Sequence, residues 1–144
     1  MKKIMLIGPI GVGKTSLTQR LHGLDLAYQK TQVVQFHEDI IDTPGEFLQH
    51  RQYYHALNVT AMQADVIGLM LDASKEEQFF PQGFSNLFTK EMVGLITKMD
   101  LIEEGQSMDW AYCQLQEAGC QRIFELSAVD DRGLSDLLEF LQED

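Results

Sequence analysis

Short apolar segments alternate along this chain with segments of helical periodicity. Six segments rich in apolar and β-branched residues predict strands, at 3–8, 32–36, 39–43, 65–71, 92–97 and 122–126. Apolar residues recur at helical spacing in the intervening segments 14–21, 46–63, 107–119 and 134–141. Strands that are apolar on both faces and alternate with helices are typical of a parallel sheet with helices packed on each side. The pattern therefore predicts an α/β fold with a mostly parallel sheet of five to six strands and helices on both faces.

The segment 73–91 departs from this alternation. It contains Pro81 and Gly83, and we expect a loop with one short helix. Its four phenylalanines either pack in the core or form an exposed apolar patch that would mark an interface, and the sequence leaves both readings open: Phe79, Phe80, Phe84 and Phe88. In the helical segment that follows, Ser107 is the expected N-cap and Gly119 the expected C-terminal stop.

A glycine-rich stretch, GPIGVGKT, directly follows the first predicted strand. It matches G-x-x-x-x-G-K-[ST], in which main-chain N–H groups wrap a phosphate and the next helix presents its N-terminal dipole. Lys14 would reach the β- and γ-phosphates, and the Thr15 hydroxyl would ligate Mg²⁺. The predicted nucleotide-binding residues of this stretch are Gly8, Pro9, Ile10, Gly11, Val12, Gly13, Lys14, Thr15 and Ser16.

A second pattern, DTPG, closes the predicted strand 39–43. The carboxylate of Asp42 can hold Mg²⁺ through water, and Gly45 can offer its N–H to a γ-phosphate. Alone, D-x-x-G is usually only a turn. Following a phosphate loop at this distance, it predicts the metal side of a nucleotide site.

Two further patterns end the last two predicted strands. In TKMD, Asp100 can accept both donors of the guanine N1/N2 edge, and the Lys98 stem can cover the base face. Thr97 belongs to the same predicted nucleotide-binding set. In LSA, a main-chain N–H near Ser127 and Ala128 can meet the base O6. All four patterns fall at the carboxyl ends of strands, where ligands bind in open α/β sheets.

Charge and composition limit the classes of binding partner that we expect. The chain has 144 residues and a net charge of −11, which repels nucleic acid and anionic membranes alike, so neither is an expected partner. Cys113 and Cys120 are seven residues apart, too far on a helix for a disulfide, and we expect free thiols. The N-terminus lacks signal-peptide features, so we expect a cytoplasmic protein, with residues 1–144 forming one nucleotide-binding domain.

Together the four patterns resemble the small Ras-like GTPases related to translation factors. The segments KTQVVQF, DTPGEF and RQYYHAL are similar to the ethanolamine- and propanediol-utilisation P-loop proteins (EutP/PduV family) of bacterial microcompartment operons. The resemblance implies a three-layer Ras-like P-loop NTPase fold with bound Mg²⁺ and GTP or GDP. It also implies that Thr31 completes the Mg²⁺ coordination when a γ-phosphate is present.

Three positions depart from the resembled pattern. Glu46 stands where many relatives carry the glutamine that orients the attacking water, so we expect slow hydrolysis. Thr97 replaces the commoner asparagine. Ile10 occupies a position that must be very small for an arginine finger to enter, so we expect no such finger.

The expected function is a slow Mg²⁺-dependent GTPase. It would act as a switch or accessory factor for microcompartment-based catabolism, with shell or enzyme proteins as possible partners. Lys14, Gly45 and Glu46 would be the residues nearest the chemistry. An ATP-dependent phosphotransferase resembling acetate kinase is the alternative, because the ethanolamine branch has been linked to that activity. A nucleotide-dependent scaffold with negligible turnover is a third reading.

Overall fold

The carboxyl ends of five parallel strands meet at one edge of the sheet in this structure, a computed structural model that describes residues 2–9, 11–29, 40–42 and 54–142. The strands are β1 (Ile4–Ile7), β2 (Ile40–Asp42), β3 (Val66–Asp72), β4 (Glu91–Thr97) and β5 (Arg122–Glu125). Their order is β2-β1-β3-β4-β5, and every neighbouring pair is parallel. The predicted strand 32–36 lies outside the described residues.

Helices cover both faces of this sheet, as the pattern predicted. They are α1 (Lys14–Gln29), α2 (Tyr54–Ala61), α3 (Asp109–Ala118) and α4 (Leu134–Gln142). Side chains alternate along a strand, so β1 sends Met5 and Ile7 to the core beneath α2 and α3, and Ile4 and Leu6 to the core beneath α1 and α4. The α/β prediction with helices on both faces is confirmed.

The connection between β3 and β4 contains a 3₁₀ turn (Phe84–Leu87) and no α-helix. Phe80, Phe84 and Phe88 are buried in the core beneath α2 and α3, with ring centroids 5.7 and 5.4 Å apart along the series. Phe79 is partly buried and meets the Phe80 ring edge-on at 5.0 Å. The structure thus decides between the two readings of this segment, because its phenylalanines form core and not an exposed patch.

One buried side chain ties this connection to α3. The Gln114 Oε1 atom accepts hydrogen bonds from the main-chain N–H groups of Phe79 and Phe80, both at 2.8 Å, and its Nε2 donates to the Glu77 carbonyl at 2.9 Å. The Gly83 N–H adds a bond to the Glu117 carbonyl at 2.8 Å. Main-chain groups that a crossover helix would satisfy internally are therefore satisfied by α3.

The ends of α3 agree with the sequence in one case and differ in the other. Gly119 ends the helix as predicted, whereas the N-cap position is Met108 and not Ser107. The Ser107 hydroxyl still accepts a hydrogen bond from the Asp109 N–H at 3.2 Å, so it serves the helix from one residue further out.

Two further findings concern the thiols and the length of the helices. Cys113 and Cys120 are free, and burial raises the pKa of Cys120 to about 12. None of the helices within the described ranges combines the length and apolar character required to cross a bilayer.

Candidate functional site

The phosphate loop, residues 8–15, leaves the end of β1 and packs directly against β3. A Cβ atom on Gly8 would lie 2.9 Å from the Met70 Cβ and 3.1 Å from the Met70 carbonyl oxygen, so only glycine fits. Gly11 and Gly13 adopt left-handed conformations, with φ of 83° and 107°. Gly8 is therefore required where the loop packs against β3, and Gly11 and Gly13 are required where the main chain turns.

Helix α1 begins at Lys14, immediately after this turn. The Leu17 N–H donates to the Gly13 carbonyl at 2.9 Å, and the Val12 N–H donates to the Pro9 carbonyl at 3.2 Å. The Lys14 ammonium folds back across the loop and donates to the Gly8 carbonyl at 3.0 Å. Thr15 and Ser16 are exposed on the first turn of α1. The loop and the first turn of α1 thus carry an ammonium, two exposed hydroxyls and a helix N-terminus close together in the chain, a set of groups suited to binding a phosphate.

The end of β4 holds the loop through two adjacent carbonyl groups. The buried Thr97 hydroxyl donates to the Val12 carbonyl at 2.6 Å and lies 3.3 Å from the Leu71 carbonyl. The Lys98 ammonium donates to the Gly11 carbonyl at 2.7 Å. The first two residues of TKMD therefore act on the phosphate loop, whatever the chemistry of the ligand.

A cavity of about 280 Å³, here called the base cavity, lies beside this junction. Three segments border it: the phosphate loop with the start of α1, the end of β4, and the end of β5. Its lining is mostly apolar and consists of Val12, Gly13, Ser16, Leu17, Thr97, Lys98, Asp100, Leu101, Leu126, Ala128 and Val129. A mostly apolar cavity with one carboxylate at its border is suited to an aromatic ring that carries N–H donors.

Ser127 supports the base cavity but does not line it. Its side chain is fully buried, and its hydroxyl donates to Asp100 Oδ1 at 2.9 Å. The same hydroxyl lies 3.3 Å from the Val129 N–H and 3.4 Å from the Asp130 N–H. Ser127 therefore orients the Asp100 carboxylate and the turn that follows β5, while Ala128 forms part of the cavity wall.

Sequence reasoning missed Asp72, which ends β3 at the same edge of the sheet. Its side chain is buried and forms an ion pair with Lys98 at 2.9 Å. Burial by itself would raise the pKa of Asp72, but hydrogen bonds from Ser74 and the charge of Lys98 outweigh it and lower that pKa. The available signal was its position, a carboxylate directly after an apolar strand that ends beside the other predicted ligands.

A second missed contact joins α1 to the turn after β5. The Arg20 guanidinium binds the Asp131 carboxylate through two hydrogen bonds, of 2.8 and 2.5 Å. Asp131 adopts a left-handed conformation, with φ of 62°. Both side chains are nearly half exposed, so the pair lies on the outer surface of the segments that border the base cavity.

The residues present fit a magnesium ion held jointly with a phosphate. Thr15 offers an exposed hydroxyl oxygen, and Asp42 ends β2, where it pairs in register with Leu6 of β1 beside the phosphate loop. No group of three potential ligands among His, Cys, Asp and Glu occurs within the described ranges. Mg²⁺ is typically bound by few protein oxygens together with phosphates and water, so such a sparse donor set is compatible with it.

The other residues predicted for the metal and γ-phosphate side fall on parts of the chain that are not described. Ile10, Thr31, Gly45 and Glu46 lie outside the described residues, as does the side chain of Asp42. The described part of the site therefore consists of the phosphate loop without Ile10, together with the base cavity.

Comparison with solved structures identifies the fold. The chain matches the GTPase Era of Aquifex aeolicus bound to GDP and AlF₄⁻ with a TM-score of 0.61 and 20% identity, over 100% of this chain and 58% of that one. This chain thus spans less than two thirds of the Era chain. The match, with the parallel sheet and the loop after β1, identifies the P-loop NTPase fold of the Ras-like type.

Comparison with known sequences is more specific. The propanediol utilization protein PduV of Citrobacter freundii is 43% identical over 141 residues, which cover 98% of this chain and 93% of that protein. A protein of Escherichia coli K12 named "Probable acetate kinase EutP" is 32% identical over 144 residues, which cover 98% of this chain and 89% of that protein. The family model described as "Ethanolamine utilisation - propanediol utilisation" matches residues 1–143, and this chain therefore belongs to the PduV-EutP family.

Proposed function

We propose that this protein binds a guanine nucleotide together with Mg²⁺ and hydrolyses GTP slowly. The observation that carries the proposal is the shared border of the base cavity. Gly13 and Ser16 reach it from the phosphate loop and α1, and Lys98, Asp100 and Ala128 reach it from the ends of β4 and β5. One nucleotide can therefore occupy both halves of the site, with its base in the cavity and its phosphates in the loop.

Base selection would depend on Asp100. Ser127 occupies one lone pair of Oδ1, and the remaining acceptor positions of the carboxylate suit the N1–H and N2–H donors of guanine. Adenine presents an acceptor at N1 and would leave the carboxylate unpaired in the complex. A site built to hydrogen-bond a donor rejects the analogue that lacks it, by about 10⁴-fold or more in favourable cases.

Catalysis would consist of positioning and charge neutralisation. The Lys14 ammonium would leave the Gly8 carbonyl and bind the β- and γ-phosphates, while loop N–H groups bind the β-phosphate. Thr15, Thr31 and, through water, Asp42 would hold Mg²⁺, which would supply positive charge to offset that of the phosphates. Gly45 would contact the γ-phosphate and Glu46 would position water. We expect slow turnover because the carboxylate of Glu46 repels that phosphate.

The family description and the name of the Citrobacter relative support a role in propanediol or ethanolamine utilisation. Within that role we propose a cytoplasmic switch or accessory factor that acts on shell or enzyme proteins of a bacterial microcompartment. The net charge of −11 favours protein partners over nucleic acid or anionic membrane.

Competition binding tests the nucleotide assignment. GTP and ATP compete against a fluorescent GDP analogue on wild-type protein and on the variants Lys14→Ala and Asp100→Asn, with and without Mg²⁺. We expect GTP to win on wild type, Lys14→Ala to lose triphosphate affinity, and Asp100→Asn to lose the preference for guanine. Preference for ATP, or indifference to Asp100→Asn, would contradict the assignment.

A second candidate is ATP-dependent phosphorylation of acetate. The name of the E. coli relative favours it, since that protein is described as a probable acetate kinase. In this reaction an acetate oxygen would attack the γ-phosphorus of ATP, giving acetyl phosphate and ADP. Incubation with ATP, Mg²⁺ and acetate, followed by hydroxylamine trapping of acetyl phosphate, distinguishes the two functions, because a GTPase gives no acetate-dependent product.

A further inference from the structure

We propose that Asp72 is a positioning residue of the nucleotide site. Its carboxylate holds the Lys98 ammonium against the Gly11 carbonyl, which fixes the phosphate loop at Gly11 and the Lys98 stem as a wall of the base cavity. The inference rests on the proposed nucleotide binding and adds a residue that lies outside all four sequence patterns of the site.

The Asp72 carboxylate is itself held on both oxygens. Oδ1 accepts hydrogen bonds from the Ser74 N–H at 2.8 Å and from the Ser74 hydroxyl at 2.6 Å, and Oδ2 lies 2.9 Å from the Lys98 ammonium. Asp72 pairs in register with Thr97, so its strand neighbour is the residue that binds the Val12 carbonyl. The carboxylate is therefore a fixed anchor at the point where β3, β4 and the phosphate loop meet.

The Lys98 side chain connects this anchor to the loop. Its ammonium lies between Asp72 and the Gly11 carbonyl, at 2.9 and 2.7 Å, and its Cε lies 4.0 Å from where a Cβ on Gly13 would be. The main chain of Lys98 is left-handed, with φ of 62°, an uncommon conformation for a residue with a side chain. With two partners for its ammonium, the Lys98 side chain stays over the loop. If the Gly11 carbonyl were its single partner, water would compete for the ammonium and the side chain would be less well held.

Burial distinguishes this pair from an ordinary surface ion pair. Asp72 is 5% exposed, while the Lys98 side chain is 34% exposed and lines the base cavity. Burying a carboxylate is unfavourable unless it is paired, and an apolar residue would serve stability as well or better. The pair also neutralises the ammonium internally, so Lys98 acts as a wall and a support for the loop and leaves the phosphates to Lys14.

Dissociation of a fluorescent GDP analogue from the folded protein tests the proposal. We expect Asp72→Asn to accelerate dissociation about tenfold or more, the scale of losing one partner of a close ion pair whose carboxylate is buried. In a Lys98→Met background the same change should cause no further acceleration of dissociation, because the ammonium that Asp72 holds is already gone. The matched control is Asp65→Asn, at the opposite end of β3, where the carboxylate accepts a bond from the Lys3 N–H.

Unchanged dissociation in Asp72→Asn would overturn the proposal, and so would independent, multiplicative effects of the two substitutions. A general loss of stability predicts the latter result. If Asp72→Asn does not fold, Ser74→Ala serves instead. Ser74 is exposed, and its replacement removes one of the two hydrogen bonds that Asp72 Oδ1 accepts. It should accelerate dissociation to a smaller extent, and no acceleration would equally overturn the proposal.

A measurement on nucleotide-free protein separates this proposal from the proposed function. Hydrogen exchange of the amides in residues 11–17 should be faster in Asp72→Asn than in wild type and unchanged in Asp65→Asn. If wild type binds no nucleotide, the proposed function fails and the exchange measurement still decides whether Asp72 holds the loop. Equal exchange in all three proteins would overturn the inference.

Discussion

Among the described residues, the Thr97 hydroxyl makes the shortest hydrogen bond between the sheet and the phosphate loop. It lies 2.6 Å from the Val12 carbonyl, and its side chain is 6% exposed. Asparagine is commoner at this position in the GTPases that the chain resembles, yet a hydroxyl is sufficient here because Val12 is drawn close to β4. The position requires a donor, and its residue type is secondary.

Replacing Thr97 by valine keeps the volume and removes the donor. The Val12 carbonyl would then lose its partner in a buried place, which costs about 1–3 kcal/mol and should weaken nucleotide binding by about 5- to 150-fold. Thr97→Ser is the control, because it keeps the hydroxyl and loses only a methyl group. Titration with a fluorescent GDP analogue measures both variants. Equal losses in the two would attribute the effect to packing and contradict the hydrogen bond.

How far single residues could be predicted depends on whether their partners are near in sequence. Lys14, Thr97 and Asp100 belong to patterns whose spacing fixes the geometry, so their places in the site were predictable. Ser127 was predicted as a site residue, but its hydrogen bond to Asp100 was not. The turn after β5 decides which of the adjacent residues Ser127 and Ala128 is buried, and the sequence does not reveal this. Asp72 meets Lys98 only because two strands pair, and no local pattern records that contact.

At the scale of elements, α3 has two functions in the fold. It covers the sheet with Ala111, Leu115 and Ala118, and it satisfies the main chain of the connection between β3 and β4 through Gln114. The three bonds of Gln114 lie among partly buried groups. One side-chain amide thus replaces much of what a crossover helix would provide.

Removal of the Gln114 amide should therefore be costly. In Gln114→Ala two N–H groups and one carbonyl lose their partners, and we expect a loss of about 2–4 kcal/mol in the free energy of unfolding. For a chain of this length, that corresponds to a decrease of about 5–15 °C in Tm. Calorimetry checks it against Gln116→Ala, an exposed glutamine on the same helix. Similar Tm values for the two variants would contradict this role of the amide.

The strand–helix alternation was enough to predict a mostly parallel sheet with helices on both faces, because periodicity reports which faces of each element are buried. The same reasoning could not predict the interior of 73–91. Phe80, Phe84 and Phe88 recur at every fourth residue, but Pro81 and Gly83 fall between them, and the burial of these rings depends on tertiary packing against α2 and α3. The N-cap of α3 differed by one residue for a similar reason, since Met108 is drawn into the core while Ser107 stays exposed.

At the scale of the whole molecule, the Arg20–Asp131 pair joins helix α1 to the turn after β5, which borders the base cavity. The two hydrogen bonds of this pair restrain the turn although both side chains are nearly half exposed. Salt weakens ion pairs that are exposed to solvent. We expect Asp131→Asn, which keeps the left-handed conformation accessible, to accelerate nucleotide dissociation modestly at low salt. The difference from wild type should disappear at about 1 M NaCl. Stopped-flow dissociation across a salt series measures this.

The control for that series is Arg132→Ala, which removes a longer contact of 3.4 Å to Glu125 on the same turn. It should leave dissociation near the wild-type rate at every salt concentration. An effect of Asp131→Asn that persists at high salt would contradict an electrostatic restraint.

The net charge of the protein influences the rate at which it associates with a nucleotide. With −11 on the protein and a negative nucleotide, long-range repulsion slows association, and added salt screens it. We therefore expect the association rate constant of GDP to rise with ionic strength between about 0.01 and 0.2 M, opposite to the trend of a steered anion. Stopped-flow association with NaCl and with uncharged sucrose as the viscosity control tests this. A falling rate constant would show that the local field of the phosphate loop dominates.

The crossover between β3 and β4 has a consequence for how the protein opens. A helix protects its own amides from exchange with water, whereas in this crossover the amides of Phe79, Phe80 and Gly83 are bound by Gln114 and by the Glu117 carbonyl. When α3 detaches from the sheet, the crossover loses its hydrogen bonds to Gln114 and Glu117 at the same time, and the aromatic rings beneath it become exposed to water. The two segments should therefore form a single cooperative unit of partial unfolding, and a protease that enters at Gly83 would report on the departure of α3.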